Sequence, residues 1–120
     1  MATLNSDKIF VDPKEEISFI IERVLTSEKL RIILIIPQSS IVFSNVLSLK
    51  ILNRLLVEDE KLLIIVTEDK YGANISQKAG FVVVHKVSQI TSDLWEIAKS
   101  KQQQILFKLQ NNKKDLAIGF

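Results

Sequence analysis

Four short apolar runs punctuate this chain, each followed by a polar turn and then by a segment of helical spacing. They are IFV at 9–11, RIILII at 31–36, KLLIIVT at 61–67 and FVVVH at 81–85. The middle of RIILII and of KLLIIVT has no polar alternation, which is the pattern of parallel strands buried on both faces. Strand and helix taking turns along a chain specify a parallel sheet covered by helices. That rhythm constrains the fold more than any other feature.

The intervening segments carry helix signals. Asp12 suits an N-cap, Pro13 the first helical position and Glu15 the capping-box glutamate. With Ile17, Ile20, Ile21, Val24 and Leu25 at helical spacing, they predict a first helix over 13–26. After the turn Gln38-Ser39-Ser40, a second helix is expected over 41–57. Its apolar residues cover most of the circumference, so it should be buried on more than one side. A short third helix should run to Ala79, with Gly80 at the C′ position. Thr91 or Ser92 caps a last helix whose stretch KSKQQQ is polar on every side, predicting a break or a projection from the body.

These elements define the expected fold class. It is a three-layer, Rossmann-like sandwich of the flavodoxin-like kind, with a four-stranded, mainly parallel sheet and helices on both faces. An order of 2-1-3-4 would give that sheet a switch point. At 120 residues the chain makes one domain. Residues 8–110 should form it, with 1–7 a flexible N-terminus and 111–120 a flexible tail or the start of a truncated region.

Composition narrows the chemistry. There are no cysteines, so no disulfide scaffold, thiol nucleophile or cysteine-rich zinc site is available. The net charge of +2 gives no footprint for non-specific nucleic-acid binding. The basic residues are dispersed and do not interleave with aromatics, although LLIIVTEDK echoes small RNA-binding α/β domains of ribosomal type. No apolar run reaches the roughly 20 residues that span a bilayer, and MATLNSDK lacks the features of a signal peptide. A cytoplasmic location is the expectation.

In an open α/β sheet the turns after the strands converge on one edge. There Gln38, Ser39, Ser40, Thr67 and Asp69 are the candidate ligand contacts, suited to a small molecule or an anion near the start of the second helix. A phosphoryl-receiver reading would cast Asp12 and Asp69 as its acids, but the first turn continues into Pro13 instead of a second acid. None of the three glycines belongs to a dinucleotide or phosphate-loop motif. His85, the one histidine, ends a strand with no paired nucleophile in a recognisable motif. The residues therefore point to no catalytic group, metal or cofactor. The excess apolar surface of the second helix points instead to a partner, with Phe43, Leu47, Ile51, Leu55 and Trp95 as the candidate interaction surface.

Three stretches carry a resemblance: IFVDPKEEISFIIERV, LIIPQSSIVFSNVLSLKILNRLL and LLIIVTEDKYGANISQKAGFVVV. Over residues 8–88 the chain resembles the cytoplasmic N-terminal α/β domain of membrane proteins from candidate-phyla bacteria, sometimes labelled baseplate-J-like. The markers are a strand ending in Ile36-Pro37, the helix motif Ser48-Leu49-Lys50-Ile51-Leu52, and Val66-Thr67-Glu68-Asp69 followed by Ala79-Gly80. Gln38 and Ser39 stand where that family usually carries a basic residue and glycine. The resemblance implies a bacterial domain that ordinarily precedes a membrane anchor. The functional expectation is a non-enzymatic interaction or assembly domain that self-associates or docks a protein. A ligand- or anion-sensing domain and an RNA-binding domain are the alternatives.

Overall fold

The structure is a computed structural model describing residues 5–118, with side chains through 111. Its strands are β1 (Ser6–Phe10), β2 (Arg31–Ile35), β3 (Leu62–Val66) and β4 (Val82–Val84). All pair in parallel in the order β1-β2-β3-β4. Helices α1 (Ile17–Thr26), α2 (Val46–Glu58) and α3 (Lys70–Lys78) connect them, and α4 (Ser92–Ile118) follows β4.

The three-layer α/β class holds, and the strand order, which the sequence left open with 2-1-3-4 as one arrangement, is sequential. That order has a geometric consequence. Right-handed crossovers between strands laid down in one direction put every crossover helix on the same face. Accordingly, Ile20 and Val24 of α1, Leu49, Leu52 and Leu56 of α2, and Ile75 of α3 form one core with Ile32, Leu34, Leu63 and Ile65. The opposite face is covered by α4 with Val87 and Ile90 from the turn before it. Trp95 and Ala98 pack there with Ile33, Ile64, Val66 and Val82. Because α4 lies over β3 and β4, the β1 side of that face leaves Phe10 exposed.

Several boundaries moved for local reasons. β1 begins at Ser6, inside the segment expected to be flexible, and residues 1–4 lie outside the described residues. The first helix starts at Ile17, not Pro13. Only half of the capping box forms: the Asp12 N–H donates to Glu15 Oε1 (3.1 Å), but the Asp12 carboxylate accepts the Lys14 N–H (2.9 Å), and the Glu15 N–H goes to the Asp12 carbonyl (3.0 Å). They close a turn instead of starting a helix. Arg23 holds that turn, donating to both Glu15 carboxylate oxygens at 2.8 Å and to the Phe10 carbonyl at 3.0 Å.

The expected helix over 41–57 is two pieces. A 3₁₀ turn, Ile41–Ser44, ends at Asn45, whose backbone is extended (φ −145°, ψ 110°) and whose side chain caps α2 by accepting the Leu47 N–H at 2.9 Å. Asparagine competes with the backbone for such bonds, which is why it breaks a run of helix formers. The last helix, α4, runs unbroken through KSKQQQ to Ile118.

Two helix exits are built alike. Glu60 N–H donates to the Val57 carbonyl and Lys61 N–H to the Leu56 carbonyl. Likewise Gly80 N–H donates to Gln77 and Phe81 N–H to Ser76. Both are Schellman motifs, which need a left-handed residue at C′. Gly80 (φ 95°) meets that need as expected, whereas at the first exit Glu60 is forced to φ 56°.

Candidate functional site

The carboxyl ends of β2, β3 and β4 form the first candidate site. The ladder continues past the strands, with Ile36 N–H donating to the Val66 carbonyl (2.9 Å) and Thr67 N–H to the Val84 carbonyl (3.0 Å). This brings the turns after β2 and β3 beside each other. Gln38, Thr67, Glu68 and His85 rim a depression of 250 Å³ over Ile35 and Val66.

The five expected ligand residues do converge, but mostly on one another. Asp69 Oδ1 accepts the Gly72 N–H at 2.7 Å as the N-cap of α3, and Oδ2 accepts the Ser39 N–H at 2.8 Å. These amide bonds, Gly72 first and then Ser39, hold the Asp69 carboxyl below its ordinary value of 3.8 against a smaller opposing effect of burial. The Thr67 hydroxyl accepts the Asp69 N–H at 3.2 Å, while buried Ser40 accepts the Val42 N–H at 3.4 Å and starts the 3₁₀ turn. Ser39 itself takes φ 61°, the conformation glycine adopts most easily. Gln38 alone of the five is exposed on the depression without such a role in the turns.

Chemically, this loop pair already contains its anion. Amides that would cradle a phosphate are turned onto a carboxylate of the same chain, and Glu68 adds a second negative group at the rim. His85 Nδ1 lies 3.3 Å from the Thr67 carbonyl, and the backbone N–H of His85 donates to Gln89 Oε1 at 2.8 Å. No cluster of three or more His, Asp or Glu placed to hold a metal ion exists among the described residues.

The larger concavity lies at the opposite end of the sheet, where no candidate residue but Trp95 was expected. A groove of 710 Å³ runs between the starts of β2 and β3, the exit of α2 and one side of α4. Leu30, Leu62 and Leu106 give it apolar walls, and Glu58, Glu60 and Glu96 line it with carboxylates. Arg31 is positioned by its guanidinium, 5.4 Å from the centre of the Trp95 ring. Gln102 fastens α4 to this end, its Nε2 donating to the Lys61 carbonyl at 2.6 Å and the Leu56 carbonyl at 3.3 Å.

Beneath the same end, Lys61 is only 6% exposed. Its ammonium donates to the carbonyls of Val24 (3.0 Å), Leu25 (2.8 Å) and Ser27 (2.6 Å) at the end of α1, with Asp59 Oδ2 at 3.6 Å. The sequence signal for the groove was Leu30, a large apolar residue stranded in the polar connection before β2.

The expected interaction residues do not form one surface. Phe43 and Trp95 are buried in the cores on opposite faces of the sheet. Phe43 turns inward because the break at Asn45 frees it to lie on Gly72, where a Cβ would overlap its ring. Trp95 closes the sheet face over β3. Leu47 and Ile51 are exposed one turn apart on α2, and Leu55 is half-buried.

The fold and both sites thus define a three-layer α/β domain with a self-tied strand-end loop and an open groove under α4. Comparison with protein-family models, curated proteins and solved structures found no match. No described helix is long and apolar enough to cross a membrane.

Proposed function

We propose that this chain is a non-enzymatic assembly domain that self-associates through the groove side of α4. The observation that carries this is the pairing of the 710 Å³ groove with large apolar side chains left uncovered around it. Leu30 is 64% exposed on the groove, and Phe107 is 63% exposed on the adjoining face of α4. Surfaces of this kind, apolar and rimmed by charge, belong to protein partners more than to small polar ligands.

The cytoplasm is the proposed location, as one part of a larger membrane-anchored protein. The resemblance to the baseplate-J-like group supports it, as does the left-handed backbone of Ser39 at the position where that family carries glycine.

The test is the solution mass of the chain across a concentration series. A mass rising toward twice the monomer supports the reading, and a monomer at every concentration overturns it. Strand-end sensing of an anion is the second reading, favoured by the depression beside Gln38 and His85. Calorimetric titration with inorganic phosphate tests it: binding heat supports this second reading, and no heat, because Asp69 keeps the loop amides, overturns it.

A further inference from the structure

We propose, resting on the assembly reading, that two copies of this chain pair through antiparallel α4 helices, each laying its overhanging end along the carboxylate wall of the other's groove. The first support is the charge gradient along the helix. Asp93 and Glu96 open α4, whereas Lys99, Lys101 and Lys108 follow with no acidic residue from 97 to 111. A parallel pair would set like charges side by side. An antiparallel pair with its twofold axis near Gln102 sets Lys108 of one copy opposite Glu96 of the other, twice. Glu58 and Glu60 add two carboxylates to the same groove beyond α4, where Arg31 and Lys99 are its cations.

Reach and shape supply the second support. α4 has 27 residues, about 40 Å of helix. Gln102 anchors it at the end of the body, so the later residues extend roughly 20 Å past that anchor. Leu106 and Phe107 are exposed in this overhang. Leu30 is exposed on the body beside its root. A twofold contact is self-complementary by construction, so the apolar overhang of one copy and the apolar groove of the other are satisfied in one step.

The experiment uses the full chain with Phe107→Ser, Lys108→Glu, Glu96→Lys and the double variant Glu96→Lys/Lys108→Glu, all at exposed positions. Sedimentation equilibrium reads the mass, with circular dichroism as the check on folding. A wild-type dimer should be weakened roughly tenfold or more by Phe107→Ser and by each single charge reversal. In the double variant it should recover to within a few-fold. A wild-type dimer that ignores these substitutions, or single reversals that the double variant fails to rescue, overturns the antiparallel α4 pairing while self-association stands. A wild-type monomer throughout overturns both.

Discussion

The ammonium of Lys61 lies 3.0 Å from the carbonyl of Val24, 37 positions earlier in the chain. That bond adds to the one the Val24 carbonyl accepts from the Ser27 N–H, and those to Leu25 and Ser27 satisfy carbonyls that the end of α1 leaves without helical partners. A cation at a helix C-terminus is also favoured by the helix dipole. The start of β3 thereby fixes the end of α1 across the intervening β2.

Lys61→Met should therefore cost about 2–3 kcal/mol, because it leaves the part-buried carbonyls of Leu25 and Ser27 unpaired. Urea denaturation reads the loss. Hydrogen exchange should show its largest increase at the last turn of α1, and uniform exchange across the domain would sink this assignment.

Glu60 and Gly80 occupy equivalent positions with unequal ease. Glu60→Gly should stabilise by about 0.5–1 kcal/mol, relieving a left-handed side-chain residue at the net of glycine's greater unfolded-state freedom. Gly80→Ala should destabilise, since its Cβ would sit 2.8 Å from Asn53 Nδ2 and disturb the bond that Nδ2 donates to the Ala79 carbonyl. Opposite shifts in melting temperature are the expected readout.

Gly72→Ala should destabilise by about 1–3 kcal/mol through overlap with the Phe43 ring. Shortening the ring in a Gly72→Ala/Phe43→Leu double variant should recover part of that loss. A double variant as unstable as the sum of its singles would show that the two residues are not coupled.

Asp69 gives the domain an acid-side dependence. Its folded carboxyl titrates below the unfolded value of 3.8. The stabilisation is therefore complete above that value and is lost as pH falls through the lower, folded one. Asp69→Asn should flatten the stability profile below about pH 4 relative to wild type. Asp69→Ala should also cost about 1 kcal/mol at neutral pH as a lost N-cap. Identical acid limbs for wild type and Asp69→Asn would refute the role of the carboxylate.

Much of this architecture was legible before any coordinates. Three of the apolar runs contain β2, β3 and β4, the first overlaps the end of β1, and Gly80 marks its turn, because aliphatic runs and obligatory left-handed positions are local signals. Strand order was not legible, since periodicity does not say which neighbour a strand chooses. The break at Asn45 hid among helix formers, and with it the inward turn of Phe43. The turn position of Asp69 after β3 was legible, but its partners, Ser39 and Gly72, are fixed by tertiary geometry. Lys61 looked like the polar edge of a strand, although its ammonium serves a helix distant in sequence. The groove depends on where α4 comes to rest, which no local pattern encodes.

The matched exits of α2 and α3 bear on how such a domain can change in size. Each delivers the chain to the next strand with the same two hydrogen bonds and the same hand, so helix-turn-strand is a cassette with identical couplings at both joints. A sheet wound in one direction has no closing condition and no central crevice to preserve. Cassettes can be spliced in or out between joints with the remaining strands still in register, and growth by tandem duplication is an evolutionary path this topology leaves open.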